Sequence, residues 1–497
     1  MLIKLRSLAF FACLAGPALA EDPLVAIDWL KEFPITRPAA MEPPVAPTGD
    51  TPGVEVKPLR QSLVLRTGLL PKSVTGLPPD LWNASDPQAL IALLRNARIQ
   101  RLPAGQELLL LLTLAEADEG PDFRSFLLER IDTLIFEGAV EPAKTLVDQA
   151  NPTSSAPVFD RWMTLSLLTD TEESACSALR TQPNLTDDTG LRVFCAARLG
   201  DFETAALLFG NAAALGIFSK DRTALLEAYL DPELFDIANL PRAPVRPDAL
   251  TFRLYKAVGA PLPSAPLQRA FAHQDLSSEA GWKARLEAAE RLARAGVLPG
   301  NQLLGLYTRR KPAASGGIWD RIAALQSFES ALNARDANAL EQTLPPMWRS
   351  MRAAELEVLF SGLFADDLAA IDLLPNSAQV AYWMTLLSDN PLAARAPANA
   401  DARDLFLGSV AAGKPDPQLA KSGKERAVVR GFQEQSTTQA DQTQIGERLL
   451  RVLVDLSAAG RGDTEALSDA IAALREDGFD TLSRKVALQS LLLLGAR

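Results

Sequence analysis

The chain has 497 residues, enough for several domains or for one long array of repeats. It carries 61 acidic and 50 basic side chains, and this net charge of −11 argues against general affinity for nucleic acid or anionic lipid. Alanine and leucine dominate, and both lose little side-chain freedom in a helix. The composition therefore predicts an all-α protein.

The first 20 residues have the three parts of a secretory signal peptide. Two basic residues precede a short apolar stretch at 8–15, and Ala18 and Ala20 place small side chains before a cut. We predict cleavage between Ala20 and Glu21, with the mature protein in the periplasm of a two-membrane bacterium. A bilayer span needs about 20 apolar residues, and because no segment reaches this length, no stable membrane insertion is expected.

Composition divides the rest of the chain into four parts. Ten prolines between residues 34 and 79 indicate an extended segment over 21–80. Helical patterns predict a repeat body at 81–411, and a polar stretch predicts a loop or hinge at 412–444. Three further helical patterns, at 445–459, 464–475 and 481–494, predict a C-terminal helical cap at 445–497.

The first helix of the body has a clear start. Asp86 stands directly before Pro87, so a capping side chain precedes a first-turn proline whose missing N–H costs nothing there. Leu90, Ile91 and Leu94 follow on one face of the predicted helix. A second helix is predicted over 103–117, and Gly120-Pro121 ends it.

A pattern recurs further along the chain. Gly138 is followed five residues later by Ala143, and Gly200 is followed five residues later by Ala205. A small residue lets antiparallel helices approach closely, and glycine relieves backbone strain at the turn between them.

Ala175 occupies the same place between these two copies, with Asp170 where the glycine stands. The three alanines Ala143, Ala175 and Ala205 are 32 and 30 residues apart. This spacing is the length of one helix pair, and repetition at that period predicts a stacked array of pairs.

The segment from Gly200 to Ala205, followed by Phe209 and Ala212, resembles the turn and second helix of the tetratricopeptide family. Residues 138–143 are similar to the same motif. The family's first-helix aromatic residue and Leu-Gly pair are missing, and the period is shorter than 34 residues. The likeness covers about 122–215 and implies a helix-pair repeat array, an α-solenoid whose surface binds peptides or partner helices.

Cys176 and Cys195 are the two cysteines that remain after the predicted cleavage. In the repeat frame Cys176 lies early in one second helix and Cys195 lies late in the following first helix. Antiparallel neighbours would bring these positions together, so we predict a disulfide bond, with two buried free thiols as the alternative.

Residues for catalysis are sparse. The single histidine, His273, has no Gly-x-Ser-x-Gly elbow to serve, and is expected on a helix surface. Both cysteines are better used on each other than on zinc. Adjacent acidic residues such as Glu172-Glu173 point about 100° apart on a helix and are expected in solvent. No enzymatic activity, cofactor or metal is therefore expected.

Together these features predict a non-enzymatic periplasmic scaffold or adaptor that binds another envelope protein or peptide. A peptidoglycan-associated enzyme or accessory factor, and a periplasmic holdase chaperone, are the alternatives. Fold resemblance does not choose among them, because function depends on particular sites.

Overall fold

The computed structural model describes residues 65–119, 123–233, 237–277, 279–312, 314–437 and 444–494. The predicted signal peptide, the cut at Ala20 and Glu21, and the part of the proline-rich segment before residue 65 lie outside the described residues. Within them the protein is all-α, as predicted, with 23 α-helices and one small antiparallel ribbon of two strands. The strands are β1 (Leu65–Thr67) and β2 (Ala117–Glu119), with Leu65 opposite Glu119.

Helices in the first half of the chain pack mainly on the helices that precede and follow them in the sequence. Their bounds are α1 (Lys72–Thr75), α2 (Pro87–Ala97), α3 (Pro103–Leu114), α4 (Arg124–Glu137), α5 (Val140–Gln149), α6 (Ala156–Leu168), α7 (Glu173–Thr181), α8 (Thr189–Arg198), α9 (Phe202–Ala214), α10 (Lys220–Leu230) and α11 (Ala249–Ala257). The predicted cap of α2 is present, because the Asp86 carboxylate accepts the backbone N–H of Ala89 at 2.8 Å.

The second half continues as antiparallel neighbours. Its helices are α12 (Ala272–Asp275), α13 (Trp282–Arg294), α14 (Gly300–Thr308), α15 (Ile318–Asn333), α16 (Ala337–Ala353), α17 (Glu357–Ala369), α18 (Pro375–Leu387), α19 (Ala402–Ala411), α20 (Gly423–Gln433), α21 (Ile445–Gly460), α22 (Thr464–Glu476) and α23 (Asp480–Leu493). The closest pairs include α15 with α16, α17 with α18, and α21 with α22.

Two large hydrophobic cores and a small cluster of Ala272, Ala288 and Leu292 hold these helices together. The smaller core lies in residues 124–271, which we call the repeat region. The larger core joins residues 77–117 to residues 286–493, which together we call the closing region. In the closing region α2 packs against α21, and α3 packs against α21 and α23. The last three helices, predicted as an end cap, thus contact the first helices of the body.

The predicted loop or hinge at 412–444 is wrong for its central part. Residues 423–433 form α20, which packs closely on α22 and buries Ala427 and Val428. A capping box starts the helix: the Ser422 hydroxyl accepts the Glu425 backbone N–H at 3.1 Å, and the Glu425 carboxylate accepts the Ser422 N–H at 2.7 Å. The motif Ser-x-x-Glu before an apolar run indicates this helix start in the sequence, although the surrounding composition is polar.

Candidate protein-binding surface

The turns of the predicted repeats have the backbone geometry that their residues suggest. Gly138 and Gly200 end α4 and α8 in the left-handed conformation, with φ of 83° and 81°. Asp170, which replaces glycine in the middle copy, has a φ of 55°. A side chain in this region costs free energy, and aspartate tolerates it better than most residues. All three copies therefore make the same kind of turn.

The anchor alanines lie at helix contacts. Ala143, Ala175 and Ala205 are fully buried in α5, α7 and α9. Ala212 is also buried, two turns further along the same face of α9, whereas Phe209 is half-buried and stacks on Phe218 with ring centroids 6.2 Å apart.

The predicted disulfide bond is present. Cys176 in α7 and Cys195 in α8 are bonded, and both are buried. The bond ties the second helix of one pair to the first helix of the next. It therefore fixes the stacking of two successive units directly beneath α9, which packs on α8.

A buried ionic network, which the sequence reasoning missed, joins the same units. The prediction that Glu172 lies in solvent is wrong: its side chain is 0% exposed, and one carboxylate oxygen accepts Arg198 Nε at 2.9 Å and Arg253 Nη2 at 3.0 Å. Asp170 pairs with Arg253 at 3.1 Å and with Lys256. Because these partners lie up to 86 residues apart in sequence, no local pattern reveals them.

Helix α9 has one apolar face that no described residue covers. Its buried residues face α8, while Phe202 and Leu207 are 61% and 66% exposed, and Leu215 and Ile217 just beyond the helix are 77% and 57% exposed. Small residues lie between them. The α9 face, as we call it, consists of Phe202, Ala206, Leu207, Gly210, Ala214, Leu215 and Ile217, all exposed.

The distribution of exposed apolar residues makes this face unusual. Ten large apolar side chains are exposed in the described residues, and four of them fall within the 16 residues from Phe202 to Ile217. Scattered exposed leucines are normal on protein surfaces, but a continuous apolar patch marks an interaction site. A helix with apolar residues on both sides is stable when something covers the second side.

An acidic cleft of about 530 Å³ adjoins the α9 face and includes Ile217 and Phe218 in its wall. Four carboxylates line it, those of Asp187, Asp188, Asp221 and Asp248. The guanidinium of Arg222 lies 3.4 Å from Asp188 and 3.7 Å from Asp248, and donates to the Thr251 hydroxyl at 2.7 Å. Arg242 is the second arginine in the wall, so four carboxylates face two guanidinium groups and the cleft keeps an excess of negative charge.

His273 is partly buried rather than placed on a helix surface as expected. Its Nε2 donates to the Gly138 carbonyl oxygen at 2.7 Å and so ties α12 to the turn between α4 and α5. Burial lowers the pKa of this imidazole below its usual value. These contacts give the histidine a structural role in positioning a repeat turn.

No group of three or more histidine, cysteine, aspartate or glutamate side chains in the described part of the chain is arranged to hold a metal ion. No helix among the described residues has both the length and the apolar character to cross a membrane. Comparison of the whole chain with protein-family models, curated proteins and solved structures found no match.

Proposed function

We propose that this chain is an exported scaffold or adaptor of the bacterial envelope, with tetratricopeptide-like repeats, that binds a helix of another envelope protein on the α9 face. The exposed apolar α9 face carries this proposal. It is supported by the rigid base beneath it, where a disulfide bond and a buried ionic network hold the neighbouring helix pairs. A preorganised base reduces the ordering cost of binding.

The chemistry of the surface defines the partner. Ala206, Gly210 and Ala214 are four residues apart and form one stripe of small side chains, which lets a partner helix approach closely between Phe202 and Leu207. The acidic cleft at one end favours basic side chains. The expected partner is therefore an amphipathic helix with an apolar face and a cluster of lysine or arginine at one end.

Export is the second part of the proposal. It rests on the signal-type sequence before Glu21 and is supported by the disulfide bond, which persists in oxidising compartments such as the periplasm. We expect the mass of the protein released from the periplasm by osmotic shock to correspond to a chain that begins at Glu21. A full-length chain recovered from the cytoplasm would contradict export.

Site-specific photocrosslinking tests the binding surface. A benzophenone amino acid replaces Leu207 on the α9 face or, as the control, Leu392, whose exposure of 63% is nearly the same as the 66% of Leu207. We expect the position-207 probe to form one dominant adduct in living cells and the position-392 probe to lack it. The same adducts at both positions would contradict the proposal.

A second measurement tests the partner's chemistry. The crosslinked segment, made as a synthetic peptide, should bind the purified protein, and Leu207→Glu should weaken this affinity at least tenfold while Leu392→Glu leaves it unchanged. Binding should also weaken as salt rises, because charge complementarity is screened. Binding to peptidoglycan sacculi without any peptide binding would instead favour the cell-wall alternative, and broad suppression of client aggregation would favour the chaperone.

A further inference from the structure

A second site shares no lining residue with the α9 face and lies where the two parts of the closing region meet. A cavity of about 730 Å³ opens between the turn before α3, the C-terminal part of α13, the start of α17, the start of α20 and the ends of α21 and α23. Cavities that hold small molecules span about 300–1,000 Å³. The central cavity, as we call it, thus has the size of a ligand site.

Positive charge dominates its wall. Two carboxylates line the central cavity, from Glu355 and Glu357. The basic side chains there are Arg101, Arg269, Arg291, Arg294, Lys424 and Arg461. In a chain with a net charge of −11, six cations around one cavity are a marked local reversal of charge.

Two of the six cations have carboxylate partners outside the cavity wall. Arg269 pairs with the buried carboxylate of Glu137. Arg294 lies 3.8 Å from Glu290, but Glu290 already accepts two hydrogen bonds from Arg321, each at 2.9 Å. Arg294 therefore shares a carboxylate that another arginine holds in better geometry.

The other four cations form no ion pair with any described residue. Arg291 donates to the carbonyl oxygens of Ser264, at 2.9 Å, and Leu267. Arg101 and Lys424 also donate to backbone oxygens. Arg101 donates to Gly460 at 3.3 Å, Lys424 donates to Leu494, and the exposed side chain of Arg461 makes no hydrogen bond within the described residues.

Neutral carbonyl groups hold these side chains in place without cancelling their charge. Burial, followed by the nearby Arg269 and Arg294, lowers the pKa of Arg291, and burial followed by Arg403 lowers the pKa of Lys424. Both shifts mean that the protein around the cavity disfavours the charged form of these side chains. An anion bound among them would relieve that repulsion, and guanidinium groups bind carboxylate and phosphate oxygens in pairs.

We propose that the central cavity binds a small anion that carries at least two carboxylate or phosphate groups. At least two groups are needed because the cations that form no ion pair with a described residue come from different elements, with Arg291 on α13 and Arg461 directly after α21. Such a ligand would bridge α13 and the end of α21. This site is independent of the α9 face and of partner binding there.

Calorimetric titration of the mature protein tests this proposal. Pyrophosphate is the phosphate probe, citrate is the carboxylate probe, and acetate at equal ionic strength is the singly charged control. We expect at least one of the two multivalent anions to bind at one site per chain and acetate to leave no measurable heat. Binding of one probe alone identifies the ligand class; no binding of either probe overturns the proposal.

Matched variants locate the site. Arg461→Gln removes a cavity cation whose side chain makes no hydrogen bond to a described residue, so the fold should be unaffected, and Arg309→Gln removes an exposed arginine outside the cavity. We expect Arg461→Gln to weaken the affinity about tenfold, a change of about 1.4 kcal/mol, and Arg309→Gln to leave it unchanged. Equal affinities in both variants would show that the anion binds elsewhere and would overturn the assignment.

Discussion

The repeat region and the closing region are stabilised in different ways. In the repeat region helices pack mainly on their neighbours in the chain, with α6 also packed on α11, and a disulfide bond and the buried Glu172 network join successive pairs. The closing region lacks a disulfide and instead joins distant parts of the chain, with α2 and α3 against α21 and α23. The stability of the repeat region therefore depends on local helix pairs and the links between them. The stability of the closing region depends on one large apolar contact.

This difference bears on where ligands bind. A linear stack exposes the outer side of its helices, and the apolar α9 face is such a side. A chain that closes on itself encloses space between segments of remote sequence, and the central cavity is such a space. The two regions therefore offer two sites of opposite character, one apolar beside an acidic cleft and one basic.

The largest expected effect comes from the ionic network of the repeat region. Glu172→Ala leaves two arginines without their shared carboxylate in a buried setting, and we expect it to lower the free energy of unfolding by about 3–5 kcal/mol. Glu173→Ala is the matched control, because that side chain is 70% exposed, and it should change stability by less than about 0.5 kcal/mol. Urea unfolding measures both. Equal losses would show that the network contributes little.

Breaking the disulfide bond should have the next largest effect. The cysteines are 19 residues apart, and a loop of this size stabilises a fold by about 3 kcal/mol through the unfolded chain. Cys176→Ala with Cys195→Ala should lower the urea midpoint, and added reductant should lower it in the wild type but not in the double variant. A wild-type midpoint that is insensitive to reductant would contradict this expectation.

Adding a single methyl group at Gly446 tests the contact between residues 81–82 and α21. A Cβ at Gly446 would lie 2.5 Å from the Leu81 carbonyl oxygen and 2.6 Å from the buried ring of Trp82. We expect Gly446→Ala to destabilise by about 1–3 kcal/mol through overpacking. Gly362→Ala is the control, since nothing lies within 4 Å of its added methyl group, and helix propensity should make it neutral or stabilising. Thermal unfolding compares them.

The smallest expected effect depends on pH. Burial and the nearby Asp469 and Asp463 raise the pKa of Asp455 to about 6. Because the folded pKa is above the unfolded value, this carboxyl favours folding at low pH and loses that contribution as pH rises through about 6. Asp455→Asn should raise Tm by about 2 °C at pH 7.5 and by less at pH 5. A gain that is the same at both pH values would exclude titration as its cause.

Caps and turns could be predicted from the sequence because they depend on residues that are close together in the chain. Asp86 before Pro87 marks a cap, and the spacing of Gly138, Asp170 and Gly200 marks three turns that all have positive φ. The disulfide bond followed from the repeat frame. By contrast, Pro345 and Pro346 lie inside α16, where proline is normally a helix breaker.

Sequence alone was sufficient for the helical class, the helix-pair period and the pairing of Cys176 with Cys195, because propensity, capping and spacing act over a few residues or one repeat. Tertiary structure decided the burial of Glu172, the contact of the first helices with the last, and the cation-lined central cavity. Those features join residues that are tens to hundreds of positions apart. Their energy depends on packing and on local dielectric environment, which no periodic pattern in the chain encodes.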